Sequence, residues 1–114
     1  MFTVCYDVGH AKISGQDPAE MIRALGKTIG CTHIHDNDGV ADSHTLPYYG
    51  KIDWARVTEA LGEIDYQGDF TYELSISSLV PPTMSEKLVK ASLTYFETVG
   101  RELCDMTESK RIVK

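Results

Sequence analysis

The sequence predicts an α/β fold of three consecutive βα units with parallel strands. Three observations predict it. Short β-branched and aromatic runs alternate with longer amphipathic stretches in the order β-α-β-α-β-α. The connections are short enough to bring each strand back parallel to the last by a right-handed crossover. The side chains capable of chemistry also gather at the C-terminal end of each strand run, the end at which the loops of a β/α barrel converge.

The elements follow in order. "FTVCYDVGH", residues 2–10, reads as a strand running into a glycine turn. In "DPAEMIRALGKTIG", residues 17–30, Asp17 is suited to cap a helix and Pro18 occupies its first turn. Met21, Ile22, Leu25 and Ile29 recur at helical spacing, and Gly30 is expected to end that helix. "CTHIHD", residues 31–36, is the second strand. "IDWARVTEALGEIDY", residues 52–66, repeats the helix pattern with Asp53 as cap and Trp54, Val57, Leu61 and Ile64 as the apolar stripe. "GDFTYELSI", residues 68–76, is the third strand. The last helix spans residues 81–103, with Leu88, Leu93, Phe96, Val99 and Leu103 available for burial, before a charged tail that is expected to fray.

Nothing in the composition divides residues 1–114 into more than one domain. A net charge of −6 argues against general nucleic-acid binding, which calls for a basic patch or stripe. Cys5, Cys31 and Cys104 are odd in number and widely spaced, a pattern of reduced thiols rather than of a disulfide framework. No leader pattern is visible, and no apolar run approaches the roughly 20 residues that span a bilayer. A soluble, cytoplasmic protein with no membrane partner is expected.

The stretch "CTHIHDNDGVADSH", residues 31–44, holds three of the four histidines among a run of aspartates. His33 and His35 are two apart, so they share one face of a strand, with Thr32 and Ile34 on the other. Asp7 and Glu73 stand in apolar or aromatic segments, where an unpaired carboxylate is costly and a bound cation would remove the cost. With His33, they make an Asp, His and Glu set suited to Mn2+, Mg2+, Co2+ or Zn2+. His10 reads equally well as a turn histidine. Asp36, Asn37, Asp38 and Gly39 read as turn formers. His35 reads as a neighbour of the ligands or as a substrate-facing group. Tyr48, Tyr49 and Trp54 read as packing rather than a sugar-stacking surface. No glycine-rich phosphate loop or Ser–His–Asp pattern occurs.

"DVGHA", "THIHDNDGVADSH" and "GKIDWARVTEALGEIDYQGDFTYEL", in that order, resemble the C-terminal part of the xylose-isomerase-like TIM-barrel superfamily. The likeness extends over roughly residues 2–100. It implies a partial (β/α)8 TIM barrel and sugar or sugar-phosphate isomerase or epimerase chemistry. In that chemistry a divalent metal polarises the substrate carbonyl while carboxylates move the neighbouring proton. By resemblance, Asp7, His33 and Glu73 are metal ligands, Glu73 also moves the proton, and His10 contacts substrate. In the related abasic-site endonucleases an Asp-x-His pair holds a further zinc, and Asp42 and His44 fall at that place. They, with His35, are therefore candidates for an additional metal or substrate contact. The family's earlier Glu, from about the fourth strand, has no counterpart here, and the usual Pro-Gly-x-Gly is replaced by "LPYYGK".

Three functional expectations follow. The first is a metal-dependent sugar isomerase/epimerase-like protein, incomplete as it stands. The second is a non-catalytic partial barrel that folds by self-association. The third is a zinc-dependent abasic-site endonuclease-like protein, which the acidic charge opposes. Three βα units cannot close a barrel, so a homo-oligomer, most simply a dimer, is expected to cover the open sheet. Val4, Ile34 and Phe70 are the apolar residues expected to be at risk of exposure.

Overall fold

Alternating β-branched and aromatic residues form three short strands, β1 (Val4–Asp7), β2 (Ile29–Ile34) and β3 (Phe70–Tyr72). They lie parallel in the order β1-β2-β3, in a computed structural model that describes residues 3–111. The start of the expected first strand and the end of the expected tail lie outside the described residues. The described residues also form helices α1 (Val8–Ile13), α2 (Pro18–Leu25), α3 (Trp54–Glu63), α4 (Ile76–Leu79) and α5 (Glu86–Ser109), with a short 3-10 turn at Gly26–Thr28. The result is an open three-stranded parallel sheet with interleaved helices, about three βα units of a TIM barrel.

The register sets which side chains share a face. Asp7 pairs with His33 and Cys5 with Cys31, while His33 pairs with Thr71. On the other face Tyr6, Thr32 and Ile34 are buried beneath the helices. There Tyr6 and Ile34 join Ile22 of α2, Trp54, Val57 and Leu61 of α3, and Leu103 of α5 in one core. Ile34 and Phe70 belong to this side, Ile34 at 1% exposure and Phe70 packed against the core. The expected apolar open face is therefore corrected. Strand alternation turns these residues toward the helices and leaves Cys5, Asp7, Cys31, His33 and Thr71 on the open side. Val4 remains exposed, at 36%.

Several boundaries differ from the expected ones. Gly30 does not end a helix but lies in β2, at the register shift between Val4 and Cys5. A side chain there would bring a Cβ to 2.7 Å from the Thr3 Cβ, so the bulge takes glycine. The Asp7 carboxylate caps α1 by accepting from the His10 N–H at 2.8 Å, which converts the expected turn into a helix. The third strand stops at Tyr72, although the Glu73 N–H still donates to the Ile34 carbonyl at 3.1 Å. The last helix starts at Glu86 rather than residue 81, capped by Ser85, and burial along it begins at Phe96, leaving Leu88 and Leu93 54% and 51% exposed. Of the expected tail, Arg111 is held at its described end by donating to the Tyr66 carbonyl at 2.8 Å.

Asp36 and Asn37, expected in a turn, are fully buried. The Asp36 carboxylate accepts from the Asn37 N–H at 2.8 Å, the Tyr48 and Ile52 N–H groups at 3.1 Å each, and Trp54 Nε1–H at 2.8 Å. Its backbone pairs with Thr45, and Asn37 Nδ2 donates to the Gly9 carbonyl at 2.9 Å. One carboxylate thus anchors both ends of the loop between β2 and α3. Asp38 and Gly39 do form a turn, with the Asp38 carboxylate accepting from Val40 and Ala41 and Gly39 at a φ of 85°. We predict that Asp36→Ala lowers stability by about 3 kcal/mol or more, because several buried donors lose their acceptor. Urea denaturation should show a lower midpoint at unchanged slope, with Trp54 fluorescence altered in the native state; an unshifted midpoint would remove Asp36 as the anchor.

Candidate metal centre

Two groups of metal-capable side chains meet at the C-terminal ends of the strands. The first is Asp7, His33 and Glu73, one from each of β1 and β2 and one just past β3, with a ligand atom apiece inside 4.8 Å of the others. His33 Nδ1 lies 2.6 Å from Glu73 Oε2 and 3.8 Å from Asp7 Oδ2. The second group is His10, His35, Asp42 and His44, again with ligand atoms within 4.8 Å of each other. Asp42 bonds His10 Nε2 at 3.1 Å and His44 Nε2 at 3.2 Å. His10 and His35 both touch Asp7, so the two groups adjoin.

The residues expected to act together are thus gathered, but the two histidines of "HIH" part company. His33 joins Asp7 and Glu73. His35, one residue past the end of β2, is fully buried and stacks on His44 with ring centroids 3.9 Å apart and planes 5° apart. His10 projects from α1 with its side chain 55% exposed. Asp53 serves as the N-cap of α3, and Trp54 is buried in the core. Tyr48 and Tyr49 are exposed, with the Tyr49 hydroxyl 3.1 Å from that of Tyr95. Sequence reasoning missed the supporting role of Asp36, Asn37 and Gly9. A signal was present in Trp54, because a buried indole N–H needs an acceptor and Asp36 is the carboxylate it finds.

The donor chemistry fits a divalent cation. Asp7, His33 and Glu73 offer two carboxylates and one imidazole, and His33 Nδ1 and Glu73 Oε2 already face each other at 2.6 Å, as two ligands of one cation would. Two donors bound to one such ion at about 2.1 Å each can be at most about 4 Å apart, so small side-chain adjustments suffice. Below the group, Cys5 and Cys31 are register partners. The hydrogen bond that the Cys5 thiol donates to Cys31, with burial, pushes Cys5 up to about 11, so it is not a ready nucleophile.

The loop group is electrostatically matched. Burial alone would raise the Asp42 carboxyl, but hydrogen bonds from His44 and His10 outweigh it and hold Asp42 below the usual range. Burial likewise opposes a charged His44, yet the Glu73 carbonyl and Asp42 carboxylate raise it above its ordinary value. Burial lowers His35, against the pull of Asp7. A depressed Asp42 contributes above its unfolded value and loses that contribution as pH falls; a raised His44 contributes below its unfolded value and loses it as pH rises. The loop contact is therefore at its fullest between about pH 4 and 6.5. Histidine NMR titration of the metal-free protein should place His44 above 6.5 and His35 below it; the reverse order would contradict this electrostatic account.

Comparison with known proteins agrees with the geometry. Residues 1–99 match the family model described as a xylose isomerase-like TIM barrel. An uncharacterized protein of Sinorhizobium fredii is 34% identical over 77 residues, covering 68% of this chain and 25% of that one. An L-ribulose 3-epimerase of Methylomonas is 32% identical over 83 residues, covering 72% of this chain and 27% of the epimerase. The crystal structure of a D-tagatose 3-epimerase-like protein superposes with a TM-score of 0.69 at 26% identity, over 95% of this chain and 36% of that one. The chain thus spans between a quarter and about a third of the length of these relatives. Among the described residues, no helix is long and apolar enough to cross a membrane. With the family model matching most of its length, the chain belongs to the xylose isomerase-like TIM-barrel family.

Proposed function

We propose that the chain carries part of the site of a metal-dependent sugar or sugar-phosphate isomerase or epimerase. Asp7, His33 and Glu73 hold the cation (Mn2+, Mg2+, Co2+ or Zn2+), and Glu73 and His10 face the substrate. The observation that carries this reading is the meeting of one ligand atom from each of these three residues within 4.8 Å. The similarity to an L-ribulose 3-epimerase supports the sugar class.

A divalent cation at this position supplies polarisation of a substrate carbonyl, which acidifies the neighbouring C–H. In this reading Glu73 is the base that takes that proton, a role supported by its 41% exposed side chain and by its contact with His33. His10 exchanges its contact with Asp42 for a substrate hydroxyl. Asp7 is not free to return a proton, because Oδ1 already accepts from the His10 N–H at 2.8 Å and from His35 Nε2 at 2.6 Å. The acid that returns it on the opposite face is assigned to further βα units completing the barrel, in the same polypeptide or in a second copy. A nuclease-like reading would use His10, Asp42 and His44, but a net charge of −6 opposes approach to DNA.

Two measurements test this. Calorimetric titration with Mn2+ should show binding that His33→Ala and Glu73→Ala each weaken at least about tenfold; unchanged affinity in both variants would discard the ligand assignment. For the assembly, sedimentation over a dilution series should find this chain self-associated. The open sheet edges, and a groove lined by Phe70, Tyr72, Leu74, Leu93 and Phe96, are the surfaces that association would cover. A compact monomer that unfolds cooperatively at micromolar concentration would refute it.

A further inference from the structure

We infer that His35 is a positioning residue for the metal centre, acting through Asp7. Its Nε2–H fixes Oδ1 of the Asp7 carboxylate so that Oδ2 is presented to His33 and Glu73. The inference deepens the metal reading above and rests on it.

The hydrogen-bond inventory of Asp7 divides its two oxygens. Oδ1 takes the His10 N–H at 2.8 Å and His35 Nε2 at 2.6 Å. Oδ2 faces His10 Nδ1 at 3.3 Å and His33 Nδ1 at 3.8 Å, on the side where Glu73 lies. An ionised carboxylate only accepts, so the short contact requires the proton to be on Nε2 of His35. One oxygen is thereby committed to the protein, and the other keeps its lone pairs for a cation.

The ring that makes this bond is held on more than one side. It has no solvent exposure, and its plane lies parallel to the His44 ring at 3.9 Å. Gly9 packs against its edge, and a Cβ on Gly9 would overlap Cε1 and Nδ1 of His35. The main chain at Gly9 is itself pinned by Asn37 Nδ2, and Asn37 neighbours the buried Asp36 anchor. The seat of His35 is therefore built by the same loop network that folds the segment.

Histidine at this position also carries a cost that packing alone would not select. Nδ1 is buried and has no hydrogen-bond partner, whereas a phenyl ring would fill the same space with no polar atom to satisfy. The bond from Nε2 to Asp7 is the compensating interaction. Groups that orient a metal-binding carboxylate in this way change metal affinity when removed, without touching the ion.

The test compares the wild type with His35→Phe, which keeps the ring and removes the donor, and with His35→Gln, whose amide can donate from a position near that of Nε2. Mn2+ binding is followed by electron paramagnetic resonance, with thermal unfolding as the control for folding. The expected result is a loss of about 10–100-fold in Mn2+ affinity for His35→Phe, largely restored in His35→Gln. A folded His35→Phe with wild-type affinity would overturn the inference. Should His35→Phe fail to fold, long-range 1H–15N spectra of the wild type decide: an Nε2-protonated His35 supports the role, and an Nδ1-protonated one refutes it. The two readings fail separately, because unchanged Mn2+ binding in His33→Ala would strike the metal centre itself, whereas wild-type affinity in His35→Phe strikes only the positioning role.

Discussion

The parallel register of three neighbouring strands is the constraint on which the centre depends. Asp7 and His33 are direct partners across β1 and β2, and the ladder carries on from Tyr72 through the Glu73 N–H to Ile34. Adjacent strands are about 4.8 Å apart, so three side chains on one face can meet only where all three registers agree. A slip of one residue would turn one of these three side chains toward the helices, where Tyr6, Thr32 and Ile34 now lie. The bulge at Gly30 matters for the same reason: it absorbs the offset between Val4–Ile29 and Cys5–Cys31 and lets the following pairs come into step.

A second layer of order comes from the loop after β2. Asp36 ties that loop to Tyr48, Ile52 and Trp54, while Asn37 ties it to Gly9 at the start of α1. The loop brings Asp42 and His44 back over the strand ends, where His44 Nδ1 donates to the Glu73 carbonyl at 2.7 Å and its ring covers His35. Core packing, loop closure and the orientation of Asp7 are therefore linked through a few buried polar contacts. Such a network is stable only when its members are satisfied, and Asp36 meets that condition with four donors.

Much of this was legible in the sequence, for identifiable reasons. Element order and helix caps at Asp17 and Asp53 follow from local chemistry, and both carboxylates accept the expected backbone N–H groups. The grouping of Asp7, His33 and Glu73 could be read because strand periodicity and the resemblance pointed to the same face. What could not be read depended on contacts distant in the chain. Asp36 in "HDND" has the composition of a turn, and only the return of Trp54 makes it a buried anchor. Gly30 resembles a helix terminator until Thr3 crosses it. The risk read for Ile34 on an open sheet arose because its burial comes from the core shared with the helices, whose side of the sheet the sequence does not name.

The central claim is that Asp7, His33 and Glu73 hold one divalent cation across the ends of three strands. Anomalous diffraction from crystals grown with Mn2+ tests it most directly. The account predicts one strong peak about 2.0–2.3 Å from Asp7 Oδ2, a nitrogen of His33 and an oxygen of Glu73, with Asp7 Oδ1 still on His35. A peak bound only by His10, Asp42 and His44, or no peak at the strand ends in a well-ordered crystal, would contradict it.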